Sequence, residues 1–121
     1  MSEIYYIFAS LLREMTEQDK IALIIEQIVN GYDPEKIILF GSFAFGNQNQ
    51  NSDVDLFVIK ESDMPRPQRT VFLRKMLSGA GIPIDLVVYT PLEVEKSQNE
   101  TYSFVHEVIK TGKVVYERPK A

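Results

Sequence analysis

The stretch Gly41-Ser42-Phe43-Ala44-Phe45-Gly46-Asn47-Gln48-Asn49-Gln50-Asn51-Ser52-Asp53-Val54-Asp55-Leu56 decides how the chain is read. Its Gly-Ser pair closes an apolar run, Ile37-Ile38-Leu39-Phe40, and a loop without Lys or Arg follows. The stretch ends on two aspartates one residue apart, at the head of a second apolar run, Leu56-Phe57-Val58-Ile59. Short apolar runs bounded by turn residues are the pattern of buried strands. Alternation along such a strand places Asp53 and Asp55 on one face and turns Val54 into the core. Two carboxylates so placed repel each other when ionised, so either one takes a proton or a cation neutralises both. A set of oxygen ligands suits Mg²⁺ or Mn²⁺ rather than zinc, and Mg²⁺ commonly binds through one or two carboxylates together with substrate phosphates.

A third acid strengthens the pattern. Asp85 is the one charged residue in Ile82-Pro83-Ile84-Asp85-Leu86-Val87-Val88-Tyr89, a third predicted strand. A buried acid without a partner is costly. If the second and third strands are neighbours, Asp85 joins Asp53 and Asp55, and three carboxylates can serve two metals in an in-line displacement at phosphorus. Gly41 and Ser42 supply the complementary half. A glycine allows close approach of a phosphate to the backbone, and turn N–H groups with the Ser42 hydroxyl can donate to its oxygens. A helical turn after Ser42 would add the favourable charge of a helix start. Other positive charge would have to come from Lys60 or from the basic residues between Arg66 and Lys75.

The bulk properties narrow the classes. A chain of 121 residues with 45% hydrophobic and 25% charged residues fits one soluble domain with its own core. A net charge of −4 argues against a broad nucleic-acid surface, which draws its affinity from Lys and Arg. The absence of cysteine excludes disulfides and thiolate chemistry, and His106 is the single histidine. It is read as a helix-surface or interface residue rather than a base. No apolar run approaches the ~20 residues of a membrane span, and the apolar N-terminus lacks the basic start of a signal peptide. The expected location is cytoplasmic, with no membrane association.

Along the chain, Ile4, Ile7, Phe8, Leu11, Leu12 and Met15 have helical spacing, and a helix packed on the domain is expected over 1–15, ahead of a domain spanning 16–121. Tyr5, Tyr6 and Tyr102 read as packing residues. Thr16 with Asp19 marks a helix start, and Asn30-Gly31 a stop. The strand from Lys36 to Phe40 follows. After the second strand, Pro67 opens a helix with Val71, Phe72, Met76 and Leu77 on its apolar side and Arg66, Arg69, Arg74 and Lys75 on a basic, solvated side, ended by Gly79-Ala80-Gly81. Thr90-Pro91-Leu92-Glu93 is a further capping box. A last helix over Thr101 to Thr111 and a short strand at Val114-Val115-Tyr116 complete an order α, α, β, β, α, β, α, α, β, a mixed sheet with helices.

Gly41-Ser42, ten intervening residues, then Asp53-Val54-Asp55 resembles the signature of the nucleotidyltransferase superfamily with the DNA polymerase β-like fold. The wider pattern is similar to the minimal nucleotidyltransferases of bacteria and archaea. It continues through Ile84-Asp85-Leu86-Val87, Thr90-Pro91 and the ending Glu107 to Glu117, and covers roughly Thr16 to Glu117. The resemblance implies an α/β (α+β) fold with a mixed sheet and helices packed mainly on one face. It implies transfer of NMP from an NTP, usually AMP from ATP, to a hydroxyl. By motif position it makes Asp53, Asp55 and Asp85 metal ligands and catalytic acids, and Gly41 and Ser42 nucleotide-binding residues. Many small members act as antitoxins beside a HEPN-domain protein, some by attaching AMP to its tyrosine, so a HEPN-type helical partner is expected. One departure stands out: these proteins commonly carry Arg where this chain has Phe45.

Other readings remain open at this level. Asp53 and Asp55 can be surface residues capping a strand, and Asp85 an acid on an edge strand. The protein can be a binding module that silences a partner by occlusion, with the N-terminal helix as its contact surface. Transfer to a small molecule such as an aminoglycoside would require a homo-oligomer or a partner to complete the acceptor pocket.

Overall fold

A computed structural model of the chain describes residues 3–46, 53–77 and 82–120. The expected turn at Ser52 and the helix stop at Gly79-Ala80-Gly81 lie outside the described residues. Six helices and four strands are present among those described: α1 Glu3–Glu14, α2 Glu17–Tyr32, β1 Lys36–Phe40, α3 Ser42–Phe45, β2 Val54–Ile59, α4 Arg66–Met76, β3 Ile84–Tyr89, α5 Pro91–Ser97, α6 Phe104–Thr111 and β4 Lys113–Glu117. The order is the one the periodicity predicts, with α3 added at the Gly-Ser turn.

The strands form one mixed sheet in the order β3-β2-β1-β4. β1 is antiparallel to β2 and β4, and β2 is parallel to β3. β2 is central and almost wholly buried, which explains its uninterrupted apolar run. Alternation divides its side chains between two cores. Val54, Leu56 and Val58 join Ile37, Leu39, Leu86 and Val88 under Ile21, Ile24 and Ile28 of α2 and Leu73 of α4. Phe57 and Ile59 join Ile38 under Val94 of α5 and Val105 and Val108 of α6. The two long helices and the larger core thus take one face, and the two short C-terminal helices take the other.

Local capping follows the sequence closely. Thr16 and Thr90 each close a capping box, with Asp19 and Glu93 respectively. Three expectations need correction. Helix α2 does not stop at Asn30-Gly31 but runs to Tyr32, and Asp33 takes the left-handed cap at φ 50°. Gly31 serves packing instead: a Cβ there would lie 3.1 Å from the Met76 sulfur, where α2 meets α4. The last helix begins at Phe104 rather than Thr101, because the Ser103 hydroxyl accepts from the His106 N–H and fixes the N-cap.

The third correction concerns Arg69, which is not on a solvated face but 6% exposed, while Val71 and Phe72 on the expected apolar side are half exposed. Its guanidinium donates to the carbonyls of Met64 and Val88 and to Glu93, at 2.7, 3.2 and 2.6 Å. β3 is an edge strand, and its Pro83 and Tyr89 carbonyls point inward to Val54 and Lys60 N–H groups. The alternating carbonyls of Ile84 and Val88 face outward, where Arg74 and Arg69 hold them. Two arginines of α4 thereby blunt an edge that would otherwise offer pairing to another chain.

The N-terminal helix departs most from its expected packing. Ile4, Ile7, Phe8 and Leu11 of α1 are each more than half exposed, as are Tyr5 and Tyr6, and Tyr102 is fully exposed. Isolated apolar residues on a surface are ordinary, but a continuous row at helical spacing is not. Among the described residues, no helix is long and apolar enough to cross a membrane.

Candidate active site

The parallel pairing of β2 with β3 places Asp55 directly opposite Asp85. Both strands present an acid at their first or second residue, so the two carboxylates meet at the same end of the sheet. On the other side of β2, Asp55 is the register partner of Phe40, the last residue of β1. Gly41 follows with φ 73° and ψ −156°, a conformation essentially restricted to glycine. A Cβ on Gly41 would overlap the Asp55 carboxylate. The glycine therefore has two independent physical reasons, backbone angle and close approach, and both tie the Gly-Ser turn to Asp55. The chain then enters α3 at Ser42, whose first turn leaves N–H groups without intrahelical partners.

Asp53 stands one residue ahead of β2 and is exposed; Asp55 is half-buried and Asp85 exposed. Burial pushes the Asp55 carboxyl above the usual aspartate range, and the charges of Asp85 and then Asp53 add to the rise. Asp85 and Asp53 are thus each near enough to Asp55 to act on its carboxyl electrostatically. The three acids do not form a closed protein cage: among the described residues no three acids, histidines or cysteines converge tightly enough to hold a metal by themselves.

The cations proposed from sequence are distributed differently. Lys60 lies at the far end of β2, donating to the Asp33 carbonyl and resting over the Tyr32 ring. Arg66 stacks on Tyr89 and pairs with Glu93, also at the far end. Arg74, bonded to the Ile84 carbonyl, is the cation of α4 held beside Asp85. The His106 Nδ1 lies 2.7 Å from the Gln98 carbonyl and ties α6 to the end of α5, away from any acid of the site.

A groove of about 220 Å³ opens beside the Gly-Ser turn, between Gly41, Phe45 of α3 and Phe104, Glu107 and Thr111 of α6. The sequence reading assigned these α6 residues no role at the site. The signal for them was the spacing Phe104-Glu107-Thr111, one stripe of α6, but its location against Gly41 follows only from the packing of α6 over β1. A larger hollow of about 440 Å³ lies at the opposite end of the sheet, near Ile59, Val94 and Arg118. Of its charged lining residues, Lys36 pairs with Glu117, and Arg118 pairs with Asp33, which lies outside the lining.

Comparison with known proteins agrees with this geometry. In Methanocaldococcus jannaschii, a protein described as a putative protein adenylyltransferase is 32% identical over 82 residues, which cover 68% of this chain and 78% of the relative. A solved structure of a putative nucleotidyltransferase from Sulfolobus solfataricus superposes with a TM-score of 0.59 at 20% identity, over 84% of this chain and 81% of the other, and speaks for the fold. A toxin–antitoxin structure solved with AMP-PNP matches with a TM-score of 0.57 at 25% identity, over 85% of this chain and 75% of that one. Residues 23–121, with both the Gly-Ser turn and all three acids among them, match the family model for polymerase beta nucleotidyltransferases, and the chain belongs to that family.

Proposed function

We propose that the chain transfers AMP from ATP to a hydroxyl of a partner protein, as the antitoxin of a pair whose other member is a HEPN-type helical protein. The observation that carries the reading is the register pair Asp55–Asp85 abutting a glycine that only the Asp55 carboxylate constrains so tightly. The family membership, the adenylyltransferase relative and the toxin–antitoxin neighbour support it. In this reading residues 16–121 form the transferase and residues 1–15 an appended helix.

The residues have distinct tasks. Gly41 lets the triphosphate lie against the backbone, and Ser42 with the turn N–H groups donates to its oxygens. Asp53, Asp55 and Asp85 would hold Mg²⁺ or Mn²⁺, and such a cation would relieve the charge that Asp85 and Asp53 impose on Asp55. When bound, such an ion would supply positive charge against the phosphates and lower the pKa of the attacking hydroxyl. Asp85 accepts the hydroxyl proton as the oxygen attacks the α-phosphorus and the bond to pyrophosphate breaks. Incubation of the chain with Mg²⁺, ATP and a helical protein encoded beside it should add the mass of one AMP to that protein.

A second reading has its own observation. The exposed apolar row of α1 is a surface for a partner's helix, and it would allow silencing by occlusion alone. In that case the partner is inhibited while its mass stays unchanged.

A further inference from the structure

We propose that the groove beside Gly41 holds the base of the donor nucleotide, with Phe45 and Phe104 as its stacking walls and Glu107 selecting a base that carries an exocyclic amino group. The inference rests on the nucleotidyl-transfer reading. Gly41 belongs to both features: its Cα faces the Asp55 carboxylate, and its backbone lines the groove. The sheet order fixes the sides. Asp85 on β3 lies beyond Asp55 in one direction, whereas β1, Gly41 and α6 lie in the other. The Gly-Ser turn that receives phosphates is on the groove's side, so the groove adjoins the donor and not the acceptor.

Its chemistry fits one portion of an NTP. Among the described residues no Lys or Arg lines it, and Glu107 would repel a polyphosphate. Its walls are aromatic and available: Phe45 is 57% and Phe104 46% exposed. Phe104 is braced from beneath, edge-on to Phe40 at 5.5 Å between ring centres and 6.1 Å from Phe57, so its outer surface is a rigid platform. A base is the flat, weakly polar part of a nucleotide and stacks on such rings. At about 220 Å³ the groove is smaller than the roughly 300 Å³ at which whole-ligand pockets begin. It therefore takes one moiety of the ligand. An ionised carboxylate only accepts hydrogen bonds. Glu107 thus favours a base with an exocyclic amino group, such as the one at C6 of adenine, over uracil, which has only its N3–H to donate and carries carbonyl oxygens where amino groups could stand.

Calorimetric titration at fixed Mg²⁺ of ATP, UTP and inorganic tripolyphosphate into the wild type, Phe45→Ala, Phe104→Ala and Glu107→Gln tests this. Tripolyphosphate should bind the wild type and both Phe variants alike, which also reports an intact turn, and no more weakly to Glu107→Gln, which lacks the repelling charge. ATP should bind about tenfold more weakly to each Phe variant, in keeping with the loss of one stacking contact. A preference of ATP over UTP in the wild type should narrow in Glu107→Gln, the remainder coming from the larger stacking area of the purine. Equal ATP affinity in the wild type and both Phe variants, with tripolyphosphate still bound, would overturn the base site and leave the nucleotidyl-transfer reading standing. Failure of the wild type to bind either ATP or tripolyphosphate would remove that reading and the base site together.

Discussion

Asp55 is the residue at which stability and function oppose each other. Burial and two neighbouring carboxylates raise its carboxyl, so the folded chain holds that proton more tightly than the unfolded chain does. Between the ordinary aspartate value and the raised one the native state binds more protons, and stability falls as pH rises through that window. At neutral pH the metal-free protein carries the full penalty. Asp55→Asn should therefore raise the metal-free melting temperature by a few degrees at pH 7, a difference that closes near pH 3, while Mg²⁺ with ATP stabilises only the wild type. Gly41→Ala tests the other half of the contact. It forces an L-residue to φ 73° and drives a methyl group into the Asp55 carboxylate, so thermal melting should show a loss of about 1–3 kcal/mol, with ATP binding reduced as well. The acids and the glycine were legible in the sequence because each breaks a local pattern: charges interrupt apolar runs, and a glycine ends one. That the glycine and Asp55 touch was not legible, since it depends on the pairing of Phe40 with Asp55.

At the scale of elements, the capping boxes and apolar runs located the helices and strands, because caps and periodicity are local. Two helix ends, at Asn30-Gly31 and Thr101, missed by a few residues, and the larger miss required a long-range partner. Arg69 looked solvated since nothing nearby in sequence announces Glu93, 24 residues on. Glu93 itself looked like a capping residue and does cap α5, but it also anchors Arg69 and Arg66. Burial pushes its carboxyl up, yet bonds from Arg69, the Thr90 N–H and Arg66, with the Arg69 charge, outweigh burial and hold it at about 2. A lowered carboxylate contributes stability that is fully present above its ordinary 4.5 and is lost as pH falls toward 2. Arg69→Leu should cost about 3 kcal/mol in denaturant unfolding, because it also strips the Met64 and Val88 carbonyls of their donor. Glu93 is partly solvated, which keeps the loss below that of a wholly buried pair. The variant's stability should also be flatter between pH 4.5 and 2 than that of the wild type.

The whole molecule follows from one topological fact. A parallel β2–β3 pair brings two acids to the same end of the sheet, and an antiparallel β1–β2 pair brings the Gly-Ser turn to that end as well. Local pattern and the family resemblance carried the fold class and supplied the candidate site residues. They did not carry the packing of α6 beside Gly41 or the exposure of α1, since helical periodicity reports that a face is apolar and not what covers it. The central claim, a nucleotide site built on these acids, is tested most directly by titrating ATP with Mg²⁺ calorimetrically into the wild type and the double variant Asp53→Ala/Asp55→Ala. Saturable, Mg²⁺-dependent binding by the wild type that weakens at least tenfold in the variant is the predicted result; equal binding by the two proteins would contradict it.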